Sequence, residues 1–168
     1  MTEAEIRNLL KLEPLPLEGG FFRRMYCAGE QISQTALPAR YDGARAMGSA
    51  IYYLITKENF SALHRVKSDE VFHFYCGDPV DLCMFYPDKS VSTFRLGNAL
   101  QKGERPQAVV PNGVWQGARL ASACRYGYAL LGATVTPAFD EADFELGDSK
   151  TLLHQYPNYS GLIESLTY

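Results

Sequence analysis

The chain has 168 residues, 46% hydrophobic and 21% charged, with a net charge of −3, which fits one domain with a sizeable core and lacks the basic patch or stripe of a nucleic-acid binder. No apolar run approaches the roughly 20 residues that span a bilayer, and the acidic start Met1-Thr2-Glu3-Ala4-Glu5 does not have the order of a signal peptide. Cys27, Cys76, Cys83 and Cys124 form no Cys-x-x-Cys pair, so reduced, small, buried apolar cysteines and a cytoplasmic location are expected.

In chain order, Thr2 to Leu12 predicts a short amphipathic helix. Thr2 is its N-cap, Glu5 lies three residues on, and Ile6, Leu9 and Leu10 form one face. Pro14 and Pro16 end it. Glu18 to Tyr26 reads as a Gly19-Gly20 turn followed by a first strand, and the polar segment Gly29 to Gly43 reads as an exposed loop. Ser49 to Ile55 is the strongest strand, an apolar run that implies burial on both faces.

Phe60 to Gly77 predicts a hairpin: two alternating runs joined by the polar turn Lys67-Ser68-Asp69. Further strands are expected at Val80 to Tyr86, Ser90 to Leu96, Gln107 to Val110, Val114 to Leu120 and Gly127 to Thr136, each bounded by Pro, Gly or Asn. Strands this regular, without helices between them, indicate an antiparallel sandwich or barrel. Phe139 to Phe144 is acidic, and Lys150 to Tyr156 and Tyr159 to Leu166 have helical spacing around Pro157. The expectation is a mainly β single domain, residues 1–168, with short N- and C-terminal helices.

The hairpin brings His64 close to Glu70. With period-two alternation, if His64 points inward then Val66 does too, and Leu63 and Arg65 point out. On the next strand Glu70, Phe72 and Phe74 point inward while Val71, His73 and Tyr75 face out. His73 is therefore a surface or interface residue.

The stretches His64…Glu70…Gly77 and Pro111-Asn112-Gly113-Val114-Trp115-Gln116 resemble the two signature motifs of the cupin superfamily. Val66 stands where the first motif has its second His, and Gln116 where the second motif has its His. The fuller wording resembles the cupin-5 branch: Glu18-Gly19-Gly20-Phe21-Phe22, Phe60 to Arg65, Ser68 to Tyr75, Val110 to Ala118 and Asp143-Phe144-Glu145-Leu146-Gly147. Pro16-Leu17 departs from the His-Pro usual there. The resemblance implies a double-stranded β-helix (jelly-roll) barrel, a homodimer with N-terminal strands packed across the interface, and a pocket at one end. It is also similar to sugar-nucleotide 3,5-epimerases, metal-free cupin-fold enzymes whose catalytic His lies in a strand like Ala62-Leu63-His64.

The expected inner constellation is His64, Glu70 and Gln116, with Tyr53, Phe72 and Phe74 as aromatic neighbours. As a general base, His64 would be oriented by Glu70, or by Asp140, Glu141 or Asp143, with Tyr53 or Tyr128 as the acid. A structural His64–Glu70 pair is the alternative. One His, one Glu and one neutral amide are a poor ligand set for a transition metal, so no cofactor is expected, a divalent metal on His64, Glu70 and Gln116 being the alternative. The expected partner is a small molecule: a carbohydrate or nucleotide-linked ligand for an isomerase or epimerase, or an apolar-polar ligand for a non-catalytic binding protein. Arg23, Arg24 and Arg65 are candidate contacts to an anion or plain surface charge, Trp115 is packing, and His154 is exposed.

Overall fold

The computed structural model describes residues 1–122 and 124–168. Helix α1 (Glu3–Leu10) carries the expected capping box, in which Thr2 Oγ1 accepts from the Glu5 amide while the Thr2 amide donates to Glu5. Strands β1 (Glu13–Pro14), β2 (Phe21–Cys27), β3 (Gln31–Ile32), β4 (Arg45–Ala46), β5 (Ser49–Thr56), β6 (Ser61–Val66) and β7 (Asp69–Gly77) follow. Strands β8 (Val80–Phe85), β9 (Val91–Leu96), β10 (Gln107–Val110), β11 (Trp115–Leu120), β12 (Tyr128–Thr136) and β13 (Phe144–Leu146) complete the sheets. Helices α2 (Ser149–Gln155) and α3 (Ser160–Glu164) end the chain.

Two sheets face each other as a jelly roll. One has the order β1-β2-β5-β12-β7-β10, the other β13-β6-β11-β8-β9, and every neighbouring pair in them is antiparallel. The two large ladders do not join, β3 and β4 pair as a small third sheet, and the space between the large sheets is closed by side-chain packing. Alternation places Tyr53, Ile55, Phe72, Phe74, Leu131 and Ala133 of the first sheet against Leu82, Met84, Ala118 and Leu120 of the second.

The outer faces are covered unequally. On the five-stranded sheet, Leu63, Phe85 and Trp115 pack under Leu152, Tyr156, Ile163 and Leu166 of the C-terminal segment. On the six-stranded sheet, α1 covers Leu54 and Tyr128 through Ile6. This explains the two-faced burial of β5: Tyr53 and Ile55 enter the core, and Leu54 enters the layer beneath the helix. The rest of that face leaves Met25, Tyr75 and Val109 exposed, and β1 pairs only with the first two residues of β2.

Two expectations are corrected. Residues 29–43 are not a simple exposed loop: Tyr41 is buried and its hydroxyl bonds the Lys67 carbonyl and Ser68 Oγ, tying the segment to the β6–β7 turn. Of the cysteines only Cys83 is buried, beneath the C-terminal helices, while Cys27, Cys76 and Cys124 are exposed. Cys27 ends a strand whose outer edge is unpaired beyond Phe22, so small apolar size alone does not bring it inside.

Next to that segment, Arg45 of β4 forms a buried ion pair. Arg45 Nε and Nη2 donate to both oxygens of Asp143 at 2.7 Å, with both side chains at 5% exposure or less. Burial works against the Asp143 carboxylate, but its bonds to Arg45 and Lys67 outweigh this and hold it below the usual range. Removing Asp143 leaves the buried Arg45 guanidinium only the exposed Asp42 carboxylate as an ionic partner. Asp143→Ala is therefore expected to cost up to about 3 kcal/mol in urea unfolding, the lower end for an uncompensated buried charge; a loss within experimental error of zero would show that Asp42 alone compensates Arg45.

Candidate functional site

A cavity of about 60 Å³ opens between the sheets. Its walls are Leu15, Phe22, Ile51, Val66, Phe72, Ala133, Val135 and Phe139, and its polar groups are Glu18, Arg24, Ser49, Tyr53, His64 and Glu70. The combination of apolar walls and a few converging polar groups is that of a small-molecule site.

His64 is 2% exposed. Its Nδ1 lies 2.7 Å from the Ala62 carbonyl, an acceptor only, so Nδ1 carries a proton and Nε2 is the nitrogen available to a ligand. The ring is stacked on Phe144, with centroids 5.3 Å apart. Nε2 faces Glu18 Oε2 at 4.0 Å.

Glu70 is nearly enclosed. Gln116, directly across the ladder from His64, donates from Nε2 to Glu70 Oε2 at 2.6 Å. Burial pushes the Glu70 carboxyl up to about 7; the neighbouring His64 charge opposes this, Glu18 adds to it, and the Gln116 bond opposes it. Near neutral pH, Glu70 is poised between proton donor and acceptor.

Glu18 was read only as part of a turn, and the structure makes it a site residue. Leu17, Gly19 and Gly20 adopt positive φ, turning the chain sharply enough for Glu18 to reach the cavity. At Gly19 a Cβ would collide with the Phe60 carbonyl, so this tight passage requires glycine. The Glu18 carbonyl accepts from the Ala62 amide at 2.7 Å, and its Oε1 accepts from Ser61 Oγ at 2.9 Å. The available signal was a charged residue followed by two glycines beside a strand, which is weak without knowing what the turn packs on.

Tyr53 and Phe72 line the cavity as expected. The Tyr53 hydroxyl donates to the Gly19 carbonyl at 3.0 Å, and burial, reinforced by Glu18, pushes its ionisation well above the ordinary range. Its proton is committed to the Glu18 turn. Gln116 and Phe74 are off the cavity wall: Gln116 is fully buried and acts through Glu70, and Phe74, two residues beyond Phe72, fills the core.

Tyr128 is corrected. In β12, Ala129, Leu131 and Ala133 enter the core, so Tyr128 points to the opposite face; its hydroxyl donates to the Met1 carbonyl at 3.2 Å, beneath α1. It also pairs with Thr56, at the end of β5 away from the cavity-lining Ser49 and Ile51. Asp143 is likewise committed to Arg45, and Arg65 pairs with Glu145 while lying over Trp115. His73 faces out, bonded to Thr134 and Gln107.

A family model described as Cupin superfamily (DUF985), Cupin_5, matches residues 4–147. The chain belongs to this family. Two solved structures are similar over its whole length: a hypothetical protein from Leishmania major (27% identical, TM-score 0.90, covering 99% of that chain) and a protein from Shewanella oneidensis (30%, 0.88, 98%). An uncharacterized protein of Saccharomyces cerevisiae is 28% identical over 100 residues, 59% of this chain and half of that protein's length. Bacillus subtilis oxalate decarboxylase shares the fold at 11% identity and TM-score 0.53 over 92% of this chain and 37% of that one.

A cupin metal centre needs several converging ligands. This cupin keeps His64 and Glu70, but Val66 has no donor atom, and the Gln116 amide nitrogen that points at Glu70 is itself a proton donor. Among the described residues no three His, Cys, Asp or Glu side chains are grouped to hold a metal ion. The motif positions Val66 and Gln116 thus add no metal ligand to His64 and Glu70. No helix among the described residues is long and apolar enough to cross a membrane.

Proposed function

We propose that this cupin is a metal-independent acid–base enzyme of isomerase or epimerase type, acting on a small carbonyl compound bound in the cavity. The observation that carries the reading is the pairing of an available His64 Nε2 with a Glu70 carboxyl shifted to about 7 in one apolar enclosure. His64 takes a proton from the carbon next to the carbonyl, and Glu70 gives its proton to the carbonyl oxygen as the enol forms. With an α-hydroxy carbonyl compound, His64 returns its proton to the former carbonyl carbon while the adjacent hydroxyl gives its proton to Glu70, which yields the isomer and restores both groups; an epimer forms when a water on the face opposite His64 reprotonates the original carbon, the enol proton returning to Glu70 and the resulting hydroxide taking the proton from His64. Glu70 replaces the tyrosines in the acid role because the Tyr53 proton is engaged by Gly19 and Tyr128 lies elsewhere.

The test is deuterium incorporation, read by NMR, into a panel of small α-hydroxy ketones and keto-sugar nucleotides incubated with the protein in D2O. Enzyme-dependent exchange is expected for at least one class. Binding without exchange across the panel would favour the second reading, a non-catalytic carrier, which the mostly apolar cavity wall supports.

The homodimer expectation belongs to the same proposal. The open edge of β2 beyond Phe22 and the exposed Met25 and Tyr26 offer a pairing surface. Native mass spectrometry should show twice the 18.8 kDa chain mass, and a monomer at micromolar concentration would refute this part.

A further inference from the structure

The cavity is polarised along its length. At its inner end, Glu18, Glu70 and His64 Nε2 present mainly acceptor atoms. A phosphate or carboxylate there would meet the Glu18 carboxylate beside the His64 Nε2 lone pair, whereas a hydroxyl has a proton to donate. The 4.0 Å gap between His64 Nε2 and Glu18 Oε2 exceeds a direct hydrogen bond, but one hydroxyl oxygen placed about 2.8 Å from each atom bridges it.

The rim has the opposite character. Arg24 lines the cavity, is exposed, and makes no ion pair among the described residues. It pairs with Ile51 in the ladder, while Phe22, two residues back, pairs with Tyr53. At ~3.3 Å per residue, Arg24 stands roughly 7 Å along the strand from the level of Tyr53. An unpaired guanidinium at the mouth of an apolar passage is suited to bidentate capture of a carboxylate.

We infer that the cavity takes a slender hydroxy acid, with its hydroxyl between Glu18 and His64, its apolar chain against Ile51 and Phe72, and its carboxylate on Arg24. The inference rests on the preceding reading only in using the same cavity as the binding site. An extended chain of about six carbons reaches roughly the two-residue separation of Arg24 from the level of Tyr53 along β2, which sets the length of the probe.

The test is titration calorimetry of the full-length protein with 6-hydroxyhexanoate, hexanoate and 1,6-hexanediol, supported by amide NMR shifts that locate the binding. The hydroxy acid is expected to bind about tenfold more tightly than hexanoate, which lacks the hydroxyl, or the diol, which lacks the carboxylate. Arg24→Gln should weaken the two carboxylates about tenfold and leave the diol nearly unchanged. Glu18→Gln should weaken the hydroxy acid and the diol while sparing hexanoate. Equal affinity for the three probes, equal weakening of all three by Arg24→Gln, or shifts remote from the cavity would overturn the assignment. Hydroxy-acid binding without any exchange chemistry would support it while overturning the catalytic reading. Exchange on neutral ketones with no preference for the carboxylate would do the reverse.

Discussion

His64→Asn is expected to lower the rate of solvent proton exchange by about 10²–10⁴-fold, the range removed when a positioned general base is lost, while the fold persists. Asparagine can still donate to the Ala62 carbonyl, the bond that His64 makes through Nδ1, but places nothing where Nε2 meets the cavity. This substitution separates the two readings of the residue. If His64 is only a structural partner of Ala62 and Glu70, the variant should retain exchange on every compound that the wild type processes. Exchange within about threefold of wild type, against the expected loss, would remove His64 from the chemistry. Parallel thermal melts establish that the protein is folded.

Glu70→Gln is expected to remove a large part of the pH dependence of stability. The folded carboxyl titrates at about 7, raised chiefly by burial, against 4.5 for the free group. Below pH 4.5 both states are protonated and the stability from this group is fully present. As pH rises toward 7 the unfolded chain releases its proton while the folded one holds it, so stability falls; above 7 the loss is complete. A shift of this size corresponds to about 3 kcal/mol. Glutamine can still accept from Gln116 and carries no charge at any pH. Urea unfolding should find the variant close to wild type near pH 4.5 and more stable at pH 8 by up to about 3 kcal/mol. The same variant should lose exchange activity, because the acid is gone, and wild-type activity should decline above pH 7 as Glu70 ionises. An unchanged pH slope in the variant would show that Glu70 is not the group responsible.

Much of the site was legible because the local rules are strong. Alternation around the Lys67-Ser68-Asp69 turn correctly put His64, Val66, Glu70 and Phe72 on the cavity side and Leu63 and His73 on the other faces. In the second motif the same period separates Val114, in the core between the sheets, from Trp115, in the outer layer. It could not say how far along a strand the cavity extends. Phe74 has the correct face and lies beyond the cavity, and Tyr128 has the wrong face at the wrong end of its strand.

What the sequence by itself determined is the strand framework, the terminal helices and the approach of His64 to Glu70, since turn chemistry and side-chain period act over a few residues. Only the tertiary structure decided the role of Glu18, whose turn reaches His64 across 46 positions of chain, and the burial of Arg45 against Asp143 across 98. Those contacts depend on which loops pack over which end of the jelly roll, an outcome set by the combined burial and hydrogen bonding of the whole chain. The hairpin supplied His64 and Glu70. The fold added a second carboxylate and a cation at the rim, and so turned a His–Glu pair into a polarised cavity.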